Sequence, residues 1–294
     1  MPAVSARTGV RTFVLTCITM CAFAANSLLC RAALAEPAID AMSFTAVRLI
    51  SGALVLWLLT LRRARGTPDE PRDWFAVAVL CIYAIAFSVA YRSLGAGTGA
   101  LILFGTVQLT MLAAGFRAGE RFRPAAWVGL AAAVTGVAYL VSPGVRAPEP
   151  LGAALMAVAG VTWGLYSLRG RGSVSALLAN ARNFIGAVPF AALLALAAAE
   201  SGHSTPRGVL LALICGAVTS GLGYVIWYAA LRGLAATQAS VVQLSVPVIA
   251  AAGGLLFLAE PVTLRLGVSA AAVLGGIALV LTQRGAATDD GIRR

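Results

Sequence analysis

The chain has no lysine, one histidine and few charges of either sign. Only 11% of its 294 residues are charged, against about 25% in a soluble domain. With 60% hydrophobic residues and a mean hydropathy of +0.90, it is not a soluble globule. His203 sits in a loop without neighbours of ligating type, which excludes a histidine-built metal or catalytic centre. The five cysteines (Cys17, Cys21, Cys30, Cys81, Cys215) are odd in number, form no C-x-x-C pair and fall inside apolar runs. Neither a disulfide framework nor a zinc site follows, and they read as small packing residues. No G-x-x-x-x-G-K-[ST] loop is present, so the chain has no means of driving ATP-dependent transport alone, and no cofactor is called for.

What is present is basic and apolar. All 22 basic residues are arginine and the net charge is +11. Nucleic-acid binding would require a contiguous basic face with interleaved aromatics, and none occurs. The arginines sit instead in short gaps between apolar runs, where determinants of membrane topology belong. A span needs about 20 mostly apolar residues to cross the hydrocarbon. Ten runs qualify: 12–30, 41–61, 74–91, 95–116 and 125–142, then 151–168, 177–199, 208–231, 234–258 and 265–283. The lipid bilayer is therefore the chain's surroundings. The first run mimics a signal peptide, with Arg7 and Arg11 ahead of it and Ala33-Leu34-Ala35 behind it. Its length, and Asn26 and Ser27 in its second half, favour a true span.

The two sets of five are copies. A shift of 140 places sets Ser27, Leu28 and Arg31 on Ser167, Leu168 and Arg171, Glu120 on Glu260, Gly136 on Gly276 and Ala138 on Ala278. A shift of 134 lays Arg48, Gly52 and Ala53 on Arg182, Gly186 and Ala187. The units run over 1–143 and 150–284, followed by a tail at 285–294. With the N-terminus inside, 15 arginines fall in cytoplasmic segments and five (Arg31, Arg92, Arg146, Arg207, Arg265) in outer ones, so both termini are expected in the cytoplasm. Five spans per copy is odd, so the second copy enters the membrane inverted. The expected fold is all-α: ten transmembrane helices as two inverted five-helix repeats. Such repeats surround a midplane site and support alternating access.

Polar residues inside spans ask for a partner or a purpose. Arg48 lies about two turns inside the second span and Arg182 about one turn inside the seventh. Either could recognise an anion, or snorkel to headgroups from near a helix end. Glu120 and Glu260 follow spans and read as local caps or partners of nearby arginines. No other acid lies near mid-membrane, so a carboxylate proton relay lacks support. Asn26, Gln108, Thr110, Trp163, Tyr166, Asn183, Tyr224, Trp227, Tyr228, Gln243 and Ser245 fall within or near span interiors. Amides and phenols there can fix a substrate while aromatics supply apolar walls. The blander alternatives are interhelical bonding for the amides and an interfacial belt for the aromatics. The substrate-binding set expected from this reading is Asn26, Arg48, Gln108, Trp163, Tyr166, Arg182, Asn183, Trp227 and Gln243. Pro247 and Pro189 are expected to kink the ninth and seventh spans.

This pattern resembles the EamA-like branch of the drug/metabolite transporter superfamily. The resemblance rests on Arg48 and Arg182 early in the second helix of each unit, on the stretch from Leu101 through Gly119-Glu120 to Gly136, and on Ala239–Pro247, Glu260 and Gly275-Gly276. The proline typical of the fourth helix in the first unit is absent, and Gln108 and Thr110 stand there instead. The resemblance implies a ten-helix carrier of a small metabolite in the inner (plasma) membrane, often an exporter, with a cavity near the first, fourth, sixth and ninth spans. A coupling ion and a homodimer are left open as partners. The competing classes are a non-transporting scaffold or sensor subunit, and an enzyme embedded in the membrane. The enzyme reading lacks the His, Asp, Glu or Cys clusters that chemistry at the interface draws on.

Overall fold

A computed structural model describes residues 2–36, 38–61, 72–117, 124–144, 147–170, 175–199, 202–234 and 236–284. Among them there is no strand, only an isolated bridge between Ile39 and Ser204. The helices are α1 (Pro2–Leu34), α2 (Ala41–Thr60), α3 (Trp74–Ala90), α4 (Ala96–Arg117), α5 (Pro124–Val141), α6 (Pro150–Gly170), α7 (Ala176–Ala198), α8 (Pro206–Leu231), α9 and α10 (Leu264–Arg284). α9 comes in two pieces, Ala236–Gln243 and Ser245–Leu258. Nine of these helices are long and apolar enough to cross a membrane. The tenth, α3, has 17 residues and so spans about 25 Å, less than the full hydrocarbon thickness. Glu120, Arg171 and the tail 285–294 lie outside the described residues.

Local chemistry fixes where the helices begin. Asp40, Asp73, Ser175 and Thr205 cap α2, α3, α7 and α8 by accepting hydrogen bonds from exposed first-turn amides. Pro124, Pro150 and Pro206 open α5, α6 and α8, where the missing N–H is no loss. Two departures from regular helix stand out. Cys215–Leu222 in the middle of α8 is π-helical, a form often found at functional sites. α9 breaks at Leu244, because Pro247 cannot donate to the carbonyl of Gln243, four residues earlier. Pro189, by contrast, sits inside an α7 that stays one helix from Ala176 to Ala198.

The main helix pairings survive adding five to each index. α1 packs on α8 and α9, just as α6 packs on α3 and α4. The α2–α8 contact becomes α7–α3, and α2–α7 and α5–α10 map onto themselves. One end of the bundle gathers the α1–α2, α3–α4, α5–α6, α7–α8 and α9–α10 connections. There the Asp40 amide donates to the His203 carbonyl (2.9 Å), the Ser93 hydroxyl to Glu149 (3.3 Å), and Arg265 to the Ser142 carbonyl (2.8 Å). At the opposite end Arg169, closing α6, pairs with Asp73 at 2.6 Å. The outer surface is strongly apolar: Leu54, Leu58, Leu193, Leu196, Leu256 and Phe257 are all exposed. Such a surface suits lipid and not water.

Candidate functional site

The polar groups buried at the centre come from four helices. Asn26 on α1 accepts from the Thr219 hydroxyl (3.1 Å) and the Cys215 thiol (3.0 Å), both in the π-helical segment of α8. With its oxygen so engaged, the amide nitrogen faces the Tyr83 hydroxyl on α3 at 3.5 Å. Arg48 on α2 donates to the same Tyr83 hydroxyl (3.2 Å) and to the Ser220 hydroxyl (3.3 Å). Its guanidinium faces the rings of Phe87 (4.9 Å) and Tyr83 (5.3 Å). At 2% exposure it does not snorkel. This cluster depends on close backbone approach. A Cβ added at Gly216 would come within 2.2 Å of the Arg48 carbonyl oxygen, so only glycine lets α8 press on α2 there.

Beside the cluster lies a cavity of about 390 Å³ lined by α1, α4, α6, α8 and α9. Trp163 is its central wall. Its ring stacks against Tyr224 (4.9 Å, 22°) and Tyr166 (5.6 Å, 20°), and Tyr83 lies 5.0 Å away. Phe23 meets Tyr224 and Trp227 edge-on at 6.1 and 5.9 Å. The lining continues past Ser240 and Gln243 to Gly170, Leu231 and Leu234 at helix ends, so the cavity reaches the end of the bundle that holds the Asp73–Arg169 pair. Toward the other end it narrows to a chamber of about 20 Å³ between Asn26, Ser27, Tyr83 and Thr219, which shares Phe23, Trp163 and Tyr224 with the main space.

Beyond this chamber the bundle is shut. Arg31 Nε meets Glu260 Oε1 at 2.7 Å, and Arg31 Nη1 donates to the carbonyls of Tyr91 and Arg92 at 3.1 Å each. Glu260 Oε2 accepts the Ala96 amide at the start of α4, also at 2.7 Å. The turn that aims Glu260 inward runs through Ala259, which sits in the left-handed region with φ 52°.

The residues singled out from the sequence separate into three groups. Trp163, Tyr166, Trp227 and Gln243 line the cavity, and Asn26 lines the inner chamber. Arg48 and Asn183 stand one layer behind, Asn183 donating to the Tyr166 hydroxyl at 3.3 Å. Gln108 is buried between α4 and α9, donating to the Ser240 carbonyl at 3.4 Å, and Arg182 is half-buried on α7; neither borders the cavity. Sequence reasoning missed Phe23, Tyr83, Met111, Asn180 and the Thr219-Ser220 pair. Asn180 accepts from the Tyr166 hydroxyl and precedes Asn183 by one helical turn, a spacing that could have revealed it. Tyr83 also carried a signal, a phenol at the middle of an apolar run and away from any interface. Phe23 carried none.

Comparison with known proteins follows this duplication. The EamA-like transporter family matches residues 11–142 and again residues 150–282. The chain belongs to the EamA-like transporter family. It is therefore a multi-pass membrane protein and a membrane transporter. An uncharacterized protein of Pseudomonas aeruginosa is 53% identical over 275 residues, covering 93% of this chain and 96% of that one. An uncharacterized transporter of Archaeoglobus fulgidus is 26% identical over 243 residues, 80% of this chain and 86% of its own. A crystal structure of 22% identity shares the fold, with a TM-score of 0.63 over 89% of this EamA-like chain and 97% of the other.

Proposed function

We propose that the protein is a secondary carrier that exports a small amphipathic metabolite by alternating access. It would do so as two inverted five-helix units, 1–143 and 150–284, in the inner membrane with both termini cytoplasmic. The observation that carries this reading is the 390 Å³ cavity between the halves, which reaches one end of the bundle and is closed at the other by Arg31 and Glu260. The main helix pairings, which exchange of the halves preserves, support two interconvertible packings of the same parts. The alternating loop ends support the inversion, and the arginine bias supports a cytoplasmic open end.

The lining is aromatic, with a few hydroxyls and the amide of Gln243, and holds no carboxylate among the described residues. That favours facilitated movement or exchange over a proton relay in the cavity wall. Stacked rings hold a flat or apolar body, and the hydroxyls of Tyr166, Tyr228 and Ser240 and the amide of Gln243 orient its polar groups.

Purified protein in vesicles tests the proposal against a panel of radiolabelled metabolites, with and without a pH gradient. At least one compound is expected to show saturable flux that competes with labelling of a cysteine placed at Trp163. Folded protein with no saturable flux, and a residue 163 unreactive from both sides, would leave the scaffold reading in its place.

A further inference from the structure

Ser27, on α1, is 1% exposed, and its hydroxyl has no hydrogen-bond partner among the described residues. A helical serine can turn its hydroxyl back on the carbonyl four residues earlier. Ser167, the counterpart of Ser27 in the second unit, does so to the Trp163 carbonyl at 2.8 Å, whereas Ser27 makes no such bond to Phe23. The Tyr91 phenol approaches Ser27 but stays beyond hydrogen-bond distance, and donates to the Ala96 carbonyl at 3.4 Å. A buried hydroxyl left unpaired is costly, so this one calls for a partner from outside the fold.

Ser27 lines the 20 Å³ chamber beyond Trp163. The other polar side chains there are already engaged. The Thr219 proton goes to the Cys215 carbonyl at 2.7 Å, Asn26 and the Tyr83 hydroxyl meet at 3.5 Å, and Arg48 donates to that same hydroxyl. The open capacity of the chamber is therefore that of Ser27, one donor and two lone pairs. Phe23, Trp163 and Tyr224 wall both the chamber and the 390 Å³ cavity, so a group entering the chamber belongs to a body lying against those rings.

Size and charge select the group. A space of 20 Å³ holds about one water-sized sphere, which excludes a carboxylate with its three heavy atoms. An ammonium would face the Arg48 guanidinium across Tyr83, in a low-dielectric interior where like charges repel strongly. No acid offsets that repulsion, because those among the described residues (Glu36, Asp40, Asp73, Glu149 and Glu260) stand at helix ends. A methyl group would leave Ser27 unpaired. A hydroxyl fits, donates and accepts.

We infer that Ser27 is a specificity-determining residue that binds the hydroxyl end of a neutral substrate whose flat apolar body lies in the aromatic cavity. This deepens the carrier reading above and rests on it for transport, though not for binding.

Isothermal titration of the detergent-purified protein with four probes of one body tests the assignment: 2-phenylethanol, ethylbenzene, 2-phenylethylammonium and phenylacetate. 2-Phenylethanol is expected to bind saturably and the tightest of the four. Ser27→Ala should weaken it about fivefold, the effect of one neutral hydrogen bond, and leave ethylbenzene unchanged. Partition into detergent is common to both proteins and drops out of the comparison. The assignment is overturned if 2-phenylethanol shows no saturable binding, or if either charged probe binds tighter. It is overturned equally by a Ser27→Ala variant whose preference for 2-phenylethanol over ethylbenzene is undiminished. The ranking on wild-type protein decides the matter if the variant fails to fold. Flux of the metabolite panel in vesicles is read separately on the same preparation. Ser27-dependent binding without flux keeps the site and removes the carrier, and flux that is indifferent to Ser27→Ala does the reverse.

Discussion

Arg31 and Glu260, 229 positions apart in the chain, meet at 2.7 Å and tie the end of α1 to the turn after α9. Because the same carboxylate accepts the Ala96 amide, three helices are fastened by one side chain. The pair is about one-fifth exposed. Removing it is expected to weaken the closed end by about 1–2 kcal/mol, enough to shift a two-state equilibrium by roughly 5–30-fold. Glu260→Gln should therefore speed labelling of a cysteine at Ser27 by an impermeant reagent added outside. An unchanged rate would mean the contact is not part of a gate.

Ala259 holds a left-handed backbone that L-residues adopt at a penalty of about 1–2 kcal/mol. Ala259→Gly should relieve it and raise stability by about 0.5–1 kcal/mol after the entropy glycine adds to the unfolded chain. A lower Tm in the variant would contradict this.

Gly216 and Gly275 offer a matched pair. A Cβ at Gly216 would meet Ser51 Oγ at 2.1 Å and the Arg48 carbonyl oxygen at 2.2 Å, whereas one at Gly275 meets nothing within 4 Å. Gly216→Ala should destabilise by about 1–3 kcal/mol through overpacking, and Gly275→Ala should be neutral or slightly stabilising. Equal thermal shifts in the two variants would show that α8 does not press on α2 as described.

Trp163 stacks on both Tyr166 and Tyr224. Each aromatic contact is worth about 0.5–1.5 kcal/mol beyond area burial, so Trp163→Ala should raise the half-saturating concentration of the transported compound about tenfold or more. Trp163→Phe should raise it less. Equal kinetics in wild type and Trp163→Ala would remove this ring from the substrate path.

Burial raises the Asp73 carboxyl, but the hydrogen bonds from Arg169 and the Ala76 amide outweigh it and hold the group below the usual carboxylate range. A depressed pKa contributes stability at pH above the unfolded value, about 3.9, and that contribution disappears as the pH falls through the folded value. The Tm difference between wild type and Asp73→Asn should thus be constant from pH 8 to 5 and shrink below about pH 4. Asparagine can still cap, so the difference reports what the carboxylate's charge gains from Arg169 and the first-turn amides, and a difference that grows on acidification would refute the assignment.

The duplication, the apolar runs and the family were legible in the sequence because each leaves a long or repeated signal. The cavity walls at Trp163, Tyr166, Trp227 and Gln243 were legible for a related reason: a polar or aromatic tip within an apolar run needs a use. Gln108 and Arg182 show the limit of that rule. Gln108 satisfies its own amide against a backbone carbonyl of α9, and periodicity does not say which face of a helix meets a neighbour rather than the cavity. The break in α9 followed from Pro247. The widened turn in α8 did not, because a π segment depends on what presses against it: here Arg48 and Ser51 from α2 at Gly216, and Asn26 from α1 at Cys215 and Thr219. The apolar run 74–91 folds as the 17-residue α3, and the run alone does not say that Tyr91 lies past the helix end.

The wide turn of α8 also sets a phase. Residues before Cys215 and after Leu222 are no longer related by a straight helix, and Tyr224 and Trp227 face inward only with that surplus in place. Losing one position between 215 and 222 would turn both rings through about 100° without changing either of them. The aromatic lining is thus governed by how many residues precede it as much as by which ones they are.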